Sequence, residues 1–337
     1  MKAFNPFRGR LTRVLGMQDV RSLIAMDEAL VIQREAFIAH AAGHTAAVPN
    51  GWLRLPGERK GWLKLLAGYE AGAGGLGVKV LARFPDNPPG ANLGSLLLLF
   101  DPESGFPLAV MDGVYITALR TGASAGLATS VLAAPGAATV SVIGTGVVAW
   151  YSLLAVASAR HSLACVRVFS RSPSRRAEMA TRIGRELGIP ASPAESVAEA
   201  LDVGEIVITA TNSDKPVVTQ GQLRPGQHVN AMGIRTEISA DAVAETFVVP
   251  DGAEEAVSDG KFSVALAAGT ASRNQLGPEL GQLLADGAGR WEPGRITLFD
   301  SSGVAVQDVV MARHVWQLAE KRDIGVKVNL GLDEGVL

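Results

Sequence analysis

TVSVIGTGVVAWYSLLAVASAR, residues 139–160, decides the fold. Thr139–Ile143 is a run of apolar and small residues that suits a strand. Gly144-x-Gly146-x-x-Ala149 follows at once, and the stretch from Val147 reads as a helix. A lone GxGxxG is a weak signal, but a strand that turns through it into a helix is the context the motif requires. Gly144 allows a tight turn, Gly146 lets a pyrophosphate approach the backbone, and Ala149 fits helix against strand. The helix start adds unpaired N–H groups and positive potential. Gly144, Thr145, Gly146, Val147 and Val148 are therefore expected to cradle the phosphates of a dinucleotide.

Working outward, strand and helix alternate to residue 301. CVRVFS (165–170) is a strand and PSRRAEMATRIGRELG (173–188) a helix. AESVAEALDV (194–203) is a short helix. EIVITAT (205–211), HVNAMG (228–233), FVVPDG (247–252) and ITLFDS (296–301) are strands. Helical stretches of this length between strands imply right-handed crossovers and a parallel sheet. The residues before this block mix element types: a helix over 26–43, a strand over 77–84, a hairpin over 95–113 and a helix, rich in small residues suited to close packing, over 115–133. The last helix, 304–321, lies beyond the sheet and is expected to pack on residues 1–115. The fold class is α/β, with a Rossmann-type doubly wound parallel sheet domain (117–302) inserted into a second α+β domain (1–116 plus 303–337).

The bulk properties agree. A chain of 337 residues is comfortable for two domains. The net charge of −2 gives no field that favours nucleic acid or an anionic membrane, and there is no basic stripe with an aromatic platform. The single cysteine, Cys165, excludes an intrachain disulfide and a CxxC metal site. His40 and His44 have helical i,i+4 spacing but no acidic third ligand nearby, so no metal is expected. The basic N-terminus lacks an apolar h-region, and the longest apolar run, Leu96–Phe100, is far short of the roughly 20 residues of a membrane span. The expectation is a soluble, cytoplasmic protein.

The end of the second strand of the alternating block indicates which dinucleotide is bound. NAD-binding proteins usually place an acidic residue there to hold the ribose hydroxyl. Here the strand runs into Ser170 and Arg171, with Arg175 close behind. A serine can donate a hydrogen bond to a 2′-phosphate, and arginines supply charge and fork geometry. NADP(H) is thus the preferred cofactor expected, with NAD(H) still possible. The alternative reading of these arginines is an ordinary solvated helix start.

Four segments together, AVMDGVYITALRTGASAGLAT, VIGTGVVA, VNAMG and FDSSGVAVQDVVMA, resemble the ornithine cyclodeaminase/mu-crystallin family in order and spacing, over about residues 15–321. That resemblance implies a Rossmann domain inserted into a domain that forms a homodimer and half the active site. It also implies a nicotinamide cofactor facing a small amino or imino acid. By position in the family motifs, it implies that Lys79 and Arg120 are the catalytic pair. Both suit a substrate carboxylate, and a lysine beside an imine can donate a proton. Thr211, Met232, Gly233 and Ser302 are implied near the nicotinamide and its ribose, and Asp308 near the nicotinamide amide or the substrate amine.

Two departures from the family pattern bear on the substrate. Ornithine cyclodeaminases carry an aspartate shortly after the NA-G motif, whereas here Arg235 stands about there, with Glu237 and Asp241 later. A cation would repel the second amine of ornithine, unless Glu237 pairs with Arg235. Arg235 instead suits a second anionic or hydrogen-bond-accepting group. Many members also place an arginine just after a proline in the first domain. Here Asn50 and Gly51 follow Pro49, and Arg54 is the expected substitute. Trp52 and Trp62 either wall the pocket or act as hydrophobic cover. The leading expectation is an NADPH-dependent reductase of a cyclic ketimine or other imino acid, such as pyrroline-2-carboxylate, or a related amino-acid dehydrogenase. The alternatives are an ornithine or lysine cyclodeaminase using NAD+ catalytically, and a ligand-binding protein like mu-crystallin.

Overall fold

The computed structural model describes residues 7–57, 60–88, 91–287, 289 and 291–331. The chain forms two compact units. One runs to Arg120 and resumes at Ala305, and the other is Thr121–Val304. Arg120 thus falls in the first unit, beyond the boundary expected at 116.

The first unit contains β1 (Thr12–Leu15), α1 (Met17–Leu23), α2 (Met26–Ala41), β2 (Thr45–Ala47), β3 (Gly51–Arg54), β4 (Trp62–Glu70), β5 (Gly75–Arg83), β6 (Leu93–Phe100) and β7 (Pro107–Asp112). The long helix α3 (Gly113–Leu132) follows. The second unit contributes β8 (Thr139–Ile143), α4 (Val147–Ala159), β9 (Cys165–Phe169), α5 (Pro173–Leu187), β10 (Ala191–Pro193), α6 (Val197–Leu201), β11 (Ile206–Thr209) and β12 (His228–Ala231). It continues through α7 (Ala240–Ala244), β13 (Phe247–Pro250), α8 (Ala253–Ser258), α9 (Lys261–Ala268), α10 (Leu280–Asp286) and β14 (Thr297–Asp300). The chain then returns to the first unit through α11 (Ala305–Arg322) and β15 (Val326–Val328).

The second unit is built on a parallel sheet of order β10-β9-β8-β11-β12-β14-β13. Strand order reverses between β8 and β11, which is where open α/β sheets bind ligands, at the carboxyl ends of the strands. The central strands β11, β12 and β14 are buried throughout, as expected of strands covered on both faces. Two glycines of α3 set its distance from α4. A Cβ on Gly122 would strike the carbonyl of Tyr151, and one on Gly126 would come within 2.7 Å of the Ala155 carbonyl. The helices therefore touch backbone to backbone.

In the first unit, eight strands form one mostly antiparallel sheet of order β15-β1-β7-β6-β5-β4-β2, with β3 also on β4. Helix α11 packs on β4, β5 and β6 and against α2. Small residues make that approach possible. A Cβ at Gly75 would lie 3.0 Å from the Val309 carbonyl, and one at Gly68 2.9 Å from the Ala305 Cβ. The buried face of β5 therefore carries Gly75, Gly77 and then Lys79, all against the helix side of the sheet.

The opposite face of this sheet is apolar and open. Register aligns Ala67, Val78, Leu98, Val110, Val14 and Val326 in one cross-strand row, and Leu65, Val80 and Leu96 in a second. Leu65 is 41% exposed and Leu96 53%. No helix among the described residues is long and apolar enough to cross a membrane.

Candidate functional site

The close seating of α11 on β5 brings three charges together inside the first unit. Lys79 Nζ lies 2.6 Å from Asp308 Oδ2, and Arg120 Nε lies 3.2 Å from Asp308 Oδ1. Lys79 is 1% exposed, Arg120 5% and Asp308 0%. Arg120 Nη1 also donates to Gln307 Oε1 at 3.1 Å, and Gln33 Nε2 donates to the Gln307 backbone carbonyl at 3.0 Å. The Nη2 of Arg120 makes no hydrogen bond among the described residues, so its N–H groups remain available to a carboxylate oxygen.

The electrostatics of this cluster are those of an acid–base site. Burial, then the neighbouring Arg120, push the Lys79 ammonium down to about 7, although Asp308 pulls the other way. Burial alone would push Asp308 up, but Arg120 and Lys79 outweigh it and hold the carboxyl below its usual range. The result is a permanent anion bridging a permanent cation and an amine that titrates near neutrality. An amine tuned in this way can both give and take a proton at working pH.

The second unit supplies the phosphate turn. Gly144 has φ +120°, and a Cβ there would collide with the Ala210 carbonyl at the end of β11. Gly146 caps α4 in extended conformation, with open space where its Cβ would point. Val147 is 48% exposed and Ala149 fully buried. An open glycine at the start of a 13-residue helix, at the switch point of a parallel sheet, fits a dinucleotide pyrophosphate. Ser170 stands at the end of β9, where Thr145 Oγ1 donates to its Oγ at 3.5 Å. Arg171 and Arg175 are exposed and form no ion pair among the described residues. Arg176 is the buried arginine of this run, and it is held by Glu195 and by the Ser170 carbonyl.

Glu237 organises the far side of the switch point. Its buried carboxylate accepts from Thr209 Oγ1 (2.8 Å), Thr211 N (2.9 Å), Thr211 Oγ1 (3.0 Å) and Gly233 N (2.7 Å). It therefore ties the ends of β11 and β12 together. The alternative in which Glu237 pairs with Arg235 is not seen among the described residues: the carboxylate is occupied by these donors, and Arg235 is exposed. Met232, 7% exposed, continues β12 by donating its N–H to the Thr209 carbonyl. Asp251 accepts from Ser302 N at 2.9 Å and Gly303 N at 2.7 Å, which fixes Ser302, and burial pushes its carboxyl up to about 7.

Arg54 is not drawn into the Lys79 cluster. It pairs across from Trp62 while Lys79 pairs across from Leu66, four residues along β4, or about 13 Å of strand. Its guanidinium lies over Trp52, 5.1 Å from the ring centroid. Trp52 and Trp62 form an edge-to-face pair at 5.0 Å. Sequence reasoning missed Gln307, which steadies Arg120, and Lys64, a buried lysine on the Lys79 face of β4. Gln307 is adjacent to Asp308 in QDVVMA, which was the available signal. Lys64 stands alone in an apolar run, WLKLLAG, where a single charge reads as an edge residue. No group of three or more metal-ligating side chains is found among the described residues.

A Rossmann-type turn together with a buried Lys–Asp–Arg cluster defines a dinucleotide-binding protein equipped to hold a small carboxylate. The sequence profile of the ornithine cyclodeaminase/mu-crystallin family matches residues 10–323, and the chain belongs to that family. It is 32% identical over 334 residues to the alanine dehydrogenase of Archaeoglobus fulgidus, covering 94% of this chain and 98% of that one. Its fold is similar to that of the Thermococcus litoralis Delta(1)-pyrroline-2-carboxylate reductase in complex with NADH and L-proline. The TM-score is 0.89 at 29% identity, covering 94% of this chain and 100% of that one. It is also similar to an archaeal alanine dehydrogenase dimer with bound NAD, with TM-score 0.88 at 30% identity, over 95% and 99% of the two chains.

Proposed function

We propose that this protein is a homodimeric cytoplasmic enzyme that reduces a small imino acid with NADPH, and that runs the corresponding amino-acid oxidation in reverse. The observation that carries the proposal is the buried Lys79–Asp308–Arg120 cluster, with Arg120 Nη2 unoccupied among the described residues and an amine near neutrality beside it. The family relatives named above act on small amino or imino acids, which agrees with a site of this size and charge.

Arg120 docks the substrate carboxylate through Nη2, with Gln307 and Asp308 holding the guanidinium in place. When bound, a reduced nicotinamide supplies the hydride that becomes the new C–H bond at the imine carbon. The C=N π pair moves onto nitrogen, and the Lys79 ammonium gives that nitrogen a proton. Asp308 keeps Lys79 chargeable despite burial, so the proton is available near pH 7. In the oxidative direction neutral Lys79 takes the proton back. Arg120 and Lys79 do for the substrate what Gly144–Val148, Thr211 and Ser302 do for the dinucleotide: they fix position and field, and the cofactor carries the redox chemistry.

Cofactor choice rests on Ser170, Arg171 and Arg175. No carboxylate ends β9, and two exposed arginines stand where a 2′-phosphate would arrive. The test is nicotinamide absorbance decay with pyrroline-2-carboxylate, and with imines formed from 2-oxo acids and ammonia, using NADPH and NADH in parallel. Turnover with NADPH well above NADH supports the reading, and Arg171→Glu should then reverse the preference. Equal rates with the two cofactors would remove the NADPH assignment. Ammonia release from ornithine with no net change in the nicotinamide would replace the reductase with a cyclodeaminase.

A further inference from the structure

Lys79 and Arg120 share one carboxylate. Lys79 Nζ lies 2.6 Å from Asp308 Oδ2 and Arg120 Nε 3.2 Å from Oδ1, and all three side chains are buried. Two cations on one anion leave a surplus positive charge out of water, which is costly. Arginine keeps its proton inside proteins, so the surplus is relieved at the lysine. Burial, and then Arg120, accordingly bring the Lys79 ammonium down to about 7. At pH 7 about half of the chains then hold a neutral amine there, against less than about 0.1% for an exposed lysine of ordinary pKa. A desolvated neutral amine beside a cation is the activated form of a nucleophilic lysine, and it attacks carbonyl groups. The hydride transfer described above uses Lys79 only to give and take a proton, so its nucleophilic character is left unused.

We infer that the Lys79 amine condenses with 2-oxo acids to form a ketimine, so that a 2-oxo acid occupies this site covalently and reversibly when no imine is present. This rests on the same site as the imino-acid reading but needs no nicotinamide. The 2-oxo acid carboxylate docks on Arg120 Nη2, which makes no hydrogen bond among the described residues. In a 2-oxo acid the carbonyl carbon is bonded to the carboxylate carbon. A carboxylate on Arg120 therefore brings the carbonyl to the amine that shares Asp308 with it. The Nζ lone pair forms a bond to the carbonyl carbon, the C=O π pair moves onto oxygen, and that oxygen takes the proton that nitrogen loses. The same oxygen takes a second proton and leaves as water, while the nitrogen lone pair closes the C=N bond. In sum, the lysine ammonium and the 2-oxo acid give a protonated ketimine and one water, with no change in charge. Asp308, 2.6 Å from Nζ, stabilises the new cation as it did the ammonium. Water reverses the step. While the adduct stands, Lys79 has no proton to give a substrate imine, so 2-oxo acids inhibit imine reduction.

The test is reductive trapping on the full chain without nicotinamide. The protein is incubated at pH 7 with pyruvate and sodium cyanoborohydride, which delivers hydride to a protonated C=N bond and fixes it as a secondary amine. Intact mass and peptide mapping then locate the label. The neutral fraction favours Lys79 over an exposed lysine about 1,000-fold, and its lower basicity gives back part of that. The expected result is one reduced pyruvyl group per chain, on Lys79, formed at least about 100-fold faster than on any exposed lysine. Excess propionate, which competes for Arg120 and has no carbonyl to attack, should slow it. Mapping the unaltered chain gives the answer without a variant, and Lys79→Arg, checked by circular dichroism, should lose the fast label. Label spread over exposed lysines with no excess on Lys79 overturns the inference, as does labelling of Lys79 that propionate leaves unchanged. If Lys79 is labelled yet no imine turns over with NADPH or NADH, the reductase reading fails and the carbonyl site stands. If imines turn over and Lys79 is labelled no faster than exposed lysines, the adduct is refuted and the reductase reading survives.

Discussion

Asp308→Asn isolates what the bridging carboxylate does. The change keeps size and hydrogen-bonding shape but removes the anion 2.6 Å from Lys79 Nζ. Burial and Arg120 continue to disfavour the ammonium, and the main opposing influence is gone. Two unit charges about 4 Å apart at an effective dielectric near 20 interact by about 4 kcal/mol. Even half of that moves a titration by about 1.5 pH units. Lys79 would then be almost wholly neutral at pH 7. Imine reduction, which needs its proton, should fall about 15-fold or more at pH 7 and recover partly toward pH 5. Amino-acid oxidation, which needs the neutral amine, should lose far less. In the wild type, kcat/KM for reduction should fall as pH rises through about 7, because the ammonium is lost there, and that for oxidation should rise over the same range. The assay is nicotinamide absorbance in both directions from pH 5 to 9, with circular dichroism to confirm folding. An equal loss in both directions, with the break in the profile unmoved, would show that Asp308 only positions Arg120 and does not set the charge of Lys79.

Gly144→Ala should raise the cofactor KM at least tenfold and lower the melting temperature, because φ +120° is strained for alanine by about 1–3 kcal/mol and its Cβ meets the Ala210 carbonyl. Thermal shift with and without NADPH separates the two effects. If the protein is the homodimer proposed above and the open sheet face is its interface, Leu65→Glu combined with Leu96→Glu places two charges there and should yield monomers by light scattering, with little change in secondary structure. A double variant that remains dimeric would move the interface elsewhere.

The second unit was the legible one. Its strands are short apolar runs and its first two helices, α4 and α5, run 13 and 15 residues, so periodicity and turn chemistry point the same way there, whereas the short helices α7 to α10 carry too few residues to show a period. The phosphate turn was legible because Gly144 is required by backbone geometry and Gly146 leaves the helix start open. The first unit was half hidden. Strand β4, WLKLLAGYE, has no clean alternation, because its buried face holds Lys64 and Gly68 and its open face holds Leu65. A sheet that buries a lysine on one side and exposes leucine on the other inverts the usual pattern. The short elements β1, β2 and β15 carry too few residues to show a period.

The site residues divide along a related line. Lys79, Arg120 and Asp308 were each named through family motifs, but their pairing was not visible, because Asp308 lies 188 residues from Arg120 and meets it only when α11 settles on the glycines of β4 and β5. The place of Glu237 was hidden for the converse reason. Arg235 is its neighbour in sequence, yet the backbone N–H groups at the ends of β11 and β12 are better donors to a buried carboxylate than an arginine in water. Lys79 shares Asp308 with Arg120 and has a pKa poised near neutrality, so its proton can move once that partnership is in place.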